Sequence, residues 1–243
     1  MPRRAMLMAD MPPPDSEGPD ARPADPEDRG AAPLGIRLSP TTRTEAFSDG
    51  VLAIAITLLV LEIRLPGPGS VLLQLLHGWP SFLAYLTSFL TIGIVWLNHH
   101  AFFGRINRIN AGLQWGNLAL LLFVSFLPFP TAILAAHVAD PGWNGRTAAA
   151  LYGIVGSLMT MPWVPMWGLL RRHPELFHAP YDAAFARVEG RRAWVGVVAY
   201  LACALVGLAV PFAAAFLYLA IAVFYAVTSQ GWARLDRSRA SSG

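Results

Sequence analysis

Three polar residues stand at the entrance of a long apolar run. Arg43, Ser48 and Asp49 occur within seven positions, and residues 51–61, which follow, contain one hydroxyl and no charge. Placing charge beside a membrane-spanning segment is costly, and such charges mark ion pathways, gates or proton relays. These residue types therefore predict a functional role at this helix end, with Asp49 able to pair with a donor from another helix.

A second possible chemistry is metal or haem binding by the six histidines. They form no His-Glu-x-x-His pattern, and the adjacent His99 and His100 point in different directions on a helix. No Gly-x-Ser-x-Gly element occurs, the chain has no lysine for a Ser–Lys pair, and Cys203 is the only cysteine. We therefore predict no enzymatic activity, no resident metal and no cofactor.

Composition predicts a membrane protein. Hydrophobic residues make up 55% of the 243 residues and charged residues only 14%, which lies well outside the averages of soluble domains. The formal net charge of +3 is too small for a nucleic-acid footprint, because the arginines fall at the ends of apolar stretches. We expect a lipid bilayer, and no nucleic acid, as partner.

The fold that this pattern predicts is an all-α membrane protein with six transmembrane helices. The predicted spans are 43–65, 79–103, 113–136, 147–170, 192–210 and 212–232. Only Pro211 separates the last two, which leaves either a tight turn or one long kinked helix. The pair Pro128 and Pro130 predicts a kink in the third span, and Pro162 and Pro165 predict one in the fourth. Segment 69–78 is too short and polar to span and is expected at the interface.

The regions outside the spans predict the domain boundaries and the orientation of the chain in the membrane. Residues 1–40 contain nine prolines and are predicted to be a disordered tail, 41–232 the transmembrane domain, and 233–243 a second tail. With the N terminus in the cytoplasm, sixteen arginines lie inside and only Arg64 and Arg146 outside. The positive-inside rule therefore predicts that both termini are cytoplasmic.

One face of the first helix is defined by a spacing of three and four residues. Its members are Arg43, Phe47, Gly50, Ile54, Thr57 and Leu61. Asp49 lies off this stripe, near Ala46 and Ala53, where it can meet a donor from another helix. Packing of Ile54 and Leu61 in an ordinary bundle would produce the same spacing, so spacing alone does not identify a pore.

A long motif covers this helix. The sequence Arg43-x-x-x-Phe47-Ser48-Asp49, followed by Gly-Val-x-Ala-Ile-Ala-x-Thr-Leu-Leu-Val-Leu-Glu, resembles the motif of the transmembrane protein 175 family of potassium-permeable channels. The element Trp96-Leu-Asn-His99-His100-Ala-Phe-Phe is similar to one in the family's bacterial members. The resemblance extends over about residues 40–232, the last four spans by hydropathy and order only.

The resemblance implies a potassium channel without the Thr-Val-Gly-Tyr-Gly filter, which does not occur here. It implies that the first helices line a central pore, with Ile54 at the narrowest point, Thr57 one turn further, and Leu58 and Leu61 beyond. A single motif in a six-span chain resembles the bacterial type, which implies a homotetramer in the bacterial cytoplasmic membrane, with transient K⁺ as its only ion.

An isoleucine ring offers no oxygen to replace lost water, so an ion must pass partly dehydrated or wait until the ring widens and wets. Potassium holds its water more loosely than sodium, so such a ring favours potassium, and a ring of Thr57 hydroxyls compensates part of the lost hydration. Glu62 either attracts cations or pairs with Arg64; the sequence leaves both open.

The resemblance also implies a structural and gating network at the cytoplasmic end of the first two helices. Its members are Arg43, Phe47, Ser48, Asp49, Trp96, His99 and His100. Trp96, His99 and His100 share one helix face by their spacing, which is also typical of an aromatic belt with interfacial histidines. Histidine titration near neutral pH is compatible with pH-sensitive gating.

A secondary transporter of a cation or small solute is the alternative function. Polar helix ends and proline-broken helices suit alternating access, which requires inverted repeats and a binding site at mid-membrane. The middle of these spans is nearly free of charge. We therefore favour the channel.

Overall fold

The computed structural model describes residues 39–64, 67–178 and 183–228. Within them, six helical segments are long and apolar enough to cross a membrane. They are Thr42–Glu62, Trp79–Phe103, Ala111–His137, Trp143–Arg172, Phe185–Ala209 and Pro211–Thr228. The predicted helical fold with six spans is confirmed.

Nine α-helices and two short strands are described in these ranges. The helices are α1 (Thr42–Leu58), α2 (Val71–His77), α3 (Trp79–Phe103), α4 (Ala111–Phe126), α5 (Pro128–His137), α6 (Trp143–Thr160), α7 (Trp163–Arg172), α8 (Ala183–Ala209) and α9 (Pro211–Thr228); the strands are β1 (Ser39–Pro40) and β2 (Arg108–Ile109). Helix α1 continues into a 3₁₀ turn, Leu59–Glu62, which completes the first span. Helix α2 has seven residues, about 10 Å at 1.5 Å per residue, and is too short to cross a bilayer, as predicted for segment 69–78.

Proline divides the third and fourth spans where the sequence predicts. Helix α5 begins at Pro128 and helix α7 follows Pro162, because proline lacks the backbone N–H that would continue the preceding helix and is accepted in a first turn. Each of these spans is therefore a pair of helices joined at a kink, and both predicted kinks are confirmed.

The last two spans are separate helices that pack on each other, so the tight turn is realised and not the single kinked helix. Only Val210 separates α8 from α9. A Cβ added at Gly207 of α8 would lie 3.3 Å from Ala214 Cβ of α9, so small residues permit the close approach. Helix α8 begins nine residues before the predicted position 192, because hydropathy locates the apolar part of a helix and misses a charged turn that remains helical.

Helix α6 lies at the centre of the bundle and packs mainly against α8. The most apolar stretch of the fourth span, Trp143–Arg172, which α6 begins, is 56% buried, the highest share of the six spans described. The Tyr218 hydroxyl of α9 donates to the Ala149 carbonyl of α6 over 2.8 Å, and the hydroxyls of Tyr152 and Ser88 lie 2.9 Å apart between α6 and α3. Polar groups inside the bundle are thus paired with each other, as an apolar surrounding requires.

Three connecting segments meet at one end of the bundle. Strand β1 pairs antiparallel with β2, which lies between α3 and α4. The backbone N–H of Asn107 donates to the carbonyl of Leu176, after α7, over 2.8 Å. The segment before α1, the α3–α4 loop and the α7–α8 loop are therefore joined at the same end.

The predicted tails fall mostly outside the described residues. Of the predicted tail 1–40, the structure describes Ser39–Pro40, and these two residues pair with β2. Backbone pairing with a neighbouring loop orders them, which composition does not reveal. Residues 1–38 and 229–243 lie outside the described ranges.

Candidate functional site

Helix α1 has one packed side. Ser48, Leu52, Ala55 and Leu59 are buried at a spacing of four, three and four residues. This side contacts α3 and α4, and the 3₁₀ turn that follows contacts α5. These contacts fix the rotation of α1 about its own axis relative to the rest of the subunit.

The opposite side of α1 is the stripe that the sequence analysis singled out. All six members, Arg43, Phe47, Gly50, Ile54, Thr57 and Leu61, are exposed in the single chain. Ile54 is 62% and Leu61 is 70% exposed, and Leu58 beside them is exposed as well. Only 22% of the most apolar window of this span is buried, the lowest share of the six spans described. Within the described residues of the subunit, the stripe has no partner.

Thr57 bonds back to its own helix. Its hydroxyl donates to the Ile54 carbonyl over 2.9 Å, a bond that spans three residues. The hydroxyl hydrogen is therefore used, and the oxygen lone pairs are turned away from the helix. A hydroxyl held in this way can offer an oxygen to a cation.

A buried hydrogen-bonded chain joins α1, α3 and α4. The amide Nδ2 of Asn117 donates to Ser48 Oγ over 2.9 Å, and the Ser48 hydroxyl donates to the Thr44 carbonyl over 2.8 Å. On its other side, Asn117 Oδ1 lies 2.9 Å from His99 Nε2. Because the amide oxygen only accepts, the bond requires that Nε2 carries the proton. Ser48, His99 and Asn117 are all buried.

Asn117 is the member that sequence reasoning missed. A signal was present, because Asn117 lies four residues after Leu113 and four before Leu121, and both leucines are buried. An amide on the buried stripe of an apolar helix needs partners, since an unpaired polar group there is costly. The motif directed attention to the first two helices and away from the third.

Asp49 and Trp96 form a second, exposed contact between α1 and α3. The indole Nε1 of Trp96 donates to Asp49 Oδ1 over 3.0 Å. The Trp96 ring stacks on His100 with 6.2 Å between ring centroids. Asp49 thus meets a donor from another helix, on the side of α1 away from the stripe.

Trp96, His99 and His100, predicted to share one helix face, differ in burial. His99 is buried and stacks on Phe103 with centroids 4.4 Å apart, whereas Trp96 and His100 are exposed. Helical spacing placed the three side chains close in angle, but the packing of α4 and α7 covers only one edge of the group. These residues therefore belong to two separate groups of contacts, which we call the two contact chains. The buried one consists of Ser48, Asn117 and His99, and the exposed one of Asp49, Trp96 and His100.

The two ends of α1 carry charges with no ion pair in the described part of the chain. Arg43 is exposed and forms none. Glu62 and Arg64 form no ion pair with each other either, and both line a groove of about 540 Å³ with Leu58 and His137. Of the two readings of Glu62, pairing with Arg64 is not seen, and attraction of cations stays a prediction.

Comparisons with known proteins cover the part of the chain that contains α1, α3 and α4. The family model described as "Endosomal/lysosomal potassium channel TMEM175" matches residues 43–128. That range includes the exposed stripe of α1 and every member of the two contact chains.

Relatives extend the similarity beyond this range. A potassium channel of Streptomyces collinus is 42% identical over 161 residues, which cover 65% of this chain and 78% of that protein. One of Chamaesiphon minutus is 44% identical over 134 residues, 53% of this chain and 65% of that protein. The crystal structure of a lysosomal potassium-selective channel TMEM175 homolog from Chamaesiphon minutus superposes with a TM-score of 0.69 at 32% identity, covering 78% of this chain and 98% of that one.

Proposed function

This chain belongs to the TMEM175 family, and from that premise we propose that it is the subunit of a potassium-selective channel. Four copies assemble around a common axis, and the exposed stripe of α1 from each copy lines the pore. The proposal rests on the potassium-channel relatives and on the shape of the subunit described above.

The observation that carries the proposal is the exposed stripe itself. An apolar helix face without a partner in its own subunit is covered by lipid or by another copy. A lipid-facing stripe needs neither a glycine nor a hydroxyl, yet Gly50 and Thr57 both lie on this one. On the wall of a pore, a small residue leaves space near the axis and a hydroxyl can offer an oxygen to a passing ion.

Selection follows from the order of side chains along the stripe. Four Ile54 side chains form a ring without oxygen, where a potassium ion loses hydration water at less cost than a sodium ion. Thr57, one turn away, presents hydroxyl oxygens whose hydrogens are bonded to the helix. Those oxygens compensate part of the lost hydration, while Leu58 and Leu61 continue the apolar wall.

The two contact chains hold α1 in this rotation. Asn117 donates a hydrogen bond to Ser48 on the buried side of α1, and Trp96 donates one to Asp49 at the cytoplasmic end of α1. Widening the Ile54 ring requires α1 to rotate or tilt, and this motion would stretch both hydrogen bonds. We therefore assign gating to the contacts between α1, α3 and α4, with Arg43 and Phe47 at the cytoplasmic mouth.

Orientation follows from the arginine distribution. The loops that meet at the β1–β2 end carry most of the arginines, and the opposite side carries Arg64 and Arg146. Cytoplasmic loops are rich in arginine, so this end and both termini lie in the cytoplasm. The proposed location is the cytoplasmic membrane of a bacterium.

The test replaces Ile54 with asparagine in the full chain reconstituted in planar bilayers. Ile54→Asn wets the ring and supplies oxygens, so the potassium-to-sodium permeability ratio is expected to fall at least about fivefold in bi-ionic recordings, since a hydrophobic constriction limits passage by dewetting. The matched control is Val195→Asn on α8, a similarly exposed apolar residue outside the stripe, and it is expected to leave the ratio unchanged.

Two outcomes contradict the proposal. An unchanged ratio in Ile54→Asn moves the selective point away from this residue. Saturable flux without unitary currents in the unsubstituted protein supports the secondary transporter instead.

A further inference from the structure

A second feature of the bundle lies away from α1. Helices α3, α6, α7, α8 and α9 enclose a cavity of about 90 Å³. Its inner wall is apolar and aromatic. The wall includes Val95, Phe102, Met159, Trp163, Tyr200 and Ala222. None of these side chains belongs to the stripe or to the two contact chains of α1.

Polar side chains line one part of the cavity, which we call its mouth; they include Glu189 and Arg192, both partly exposed. Arg192 of α8 lines it, and its side chain is held in place by several contacts. Nη2 donates to the carbonyl and the hydroxyl of Thr228, both over 3.0 Å, and Nη1 donates to Glu189 over 3.3 Å. The guanidinium also lies 5.7 Å from the ring centre of Tyr225. Of its five N–H donors, the described contacts use three, so two remain for a ligand.

The surroundings of this mouth are basic. The described part of α7, α8 and the loop between them carries five arginines, Arg171, Arg172, Arg187, Arg191 and Arg192, against two acids, Glu175 and Glu189. One of those acids already neutralises part of Arg192. The excess of positive charge favours a ligand that carries phosphate.

The outer faces of α8 and α9 are apolar, and this favours a ligand that comes from the membrane. Val195, Val198 and Leu201 of α8 and Phe224 and Val227 of α9 are exposed large apolar side chains. Those of α8 follow its arginines along the chain, and both helices are long and apolar enough to cross a membrane, which favours lipid as their neighbour. A molecule with a phosphate at the mouth and an apolar part in the cavity is a phospholipid.

We propose that this cavity binds an anionic phospholipid of the leaflet on the arginine side. The phosphate accepts hydrogen bonds from the free N–H donors of Arg192, and part of one acyl chain enters the cavity toward Tyr200. The lipid would then link α8 and α9 to α3, the helix that carries Trp96 and His99. The site does not depend on the proposed ion conduction, so either can fail without the other.

The test counts lipids bound to the full chain in detergent by native mass spectrometry. Dioleoyl phosphatidylglycerol is the probe, and dioleoyl phosphatidylcholine is the comparison. Arg192→Gln removes the charge, and Ala193→Leu fills the cavity while all arginines stay. Arg192→Gln is expected to weaken phosphatidylglycerol binding at least about tenfold, because one charge-assisted phosphate contact is lost. Ala193→Leu is expected to weaken it to a similar degree, because the leucine side chain takes the space that the acyl chain would occupy. Arg191→Gln, an exposed neighbour that does not line the cavity, makes the same charge change and is expected to alter binding less than about twofold.

Melting temperatures of all variants, measured in the same detergent, separate loss of lipid from loss of fold, and Ala193→Leu tests the site even if Arg192→Gln does not fold. Equal weakening by Arg191→Gln and Arg192→Gln overturns the proposal, because general attraction to basic charge then explains binding. Equal binding of phosphatidylcholine, or displacement of phosphatidylglycerol by inorganic phosphate at the same concentration, overturns it too.

Discussion

Helices α1 and α6 are both apolar helices of a six-span subunit, but they use their residues in opposite ways. Helix α6 turns small residues toward its neighbours, and the most apolar stretch of its span, Trp143–Arg172, is 56% buried. Helix α1 packs one side and leaves the other open, and the same share for its span, Thr42–Glu62, is 22%. Helix α1 carries large exposed side chains and α6 carries glycines because the two helices have different neighbours.

The contrast is sharpest at glycine. A Cβ added at Gly153 of α6 would lie 2.8 Å from Ala204 Cβ and 2.9 Å from the Tyr200 carbonyl oxygen, and would also meet the Tyr218 hydroxyl. A Cβ added at Gly50 of α1 meets nothing within 4 Å. The first glycine is required by packing inside the subunit, and the second is not. Any requirement for Gly50 must come from outside the described part of the subunit.

The largest effect is expected from Gly153→Ala. The added methyl group collides with a backbone oxygen and a Cβ, neither of which can swing aside, so the free energy of unfolding should fall by about 3 kcal/mol. The measurement is the melting temperature in detergent. Gly168→Ala on α7, where a Cβ meets nothing within 4 Å, is the matched control and should not destabilise the protein. A Gly153→Ala protein as stable as this control would show that α6 and α8 are not packed as described.

A smaller loss is expected from Asn117→Leu, which tests the packed side of α1. Leucine cannot donate to Ser48 Oγ or accept from His99 Nε2, and the loss of these two buried hydrogen bonds should lower the free energy of unfolding by about 2 kcal/mol. Gln114→Ala on the exposed side of α4 is the control. Combining Asn117→Leu with Ser48→Ala should cost less than the sum of the two single changes, because the pair shares one bond. Strict additivity would contradict the described contact.

The smallest effect, with the opposite sign, is expected from Gly50→Ala. Alanine is the better helix former, so an exposed glycine replaced in mid-helix should raise stability by up to about 1 kcal/mol. Melting temperature of the assembled protein is again the measurement. Destabilisation comparable to that of Gly153→Ala would break the comparison, because the stripe of α1 would then be packed tightly against another helix.

Parts of this arrangement follow from local sequence. The six spans, the breaks at Pro128 and Pro162, and the short α2 all follow from hydropathy and from the missing N–H of proline. The stripe of α1 could also be predicted, since a spacing of three and four residues defines a helix face without reference to neighbours.

The contacts of the candidate site could be predicted only in part. The wheel placed Asp49 on the side where Trp96 meets it, but it did not reveal Asn117, nor that His99 is buried while His100 is exposed. Those facts depend on how α4 is rotated against α1 and α3. Residues 69 positions apart, Ser48 and Asn117, meet there, and no local periodicity encodes such a meeting.

The amino-acid sequence by itself determined that the chain is helical, that it crosses a membrane six times, and which residues share a face of the first helix. These properties depend on neighbours along the chain and on the cost of exposing the backbone to lipid. Only the tertiary structure decided which side of α1 is packed, which amide bridges Ser48 to His99, and that a cavity with Arg192 at its mouth lies between α3 and the last helices. Such features arise from the relative rotation of whole helices, which is settled by the summed packing of many distant residues.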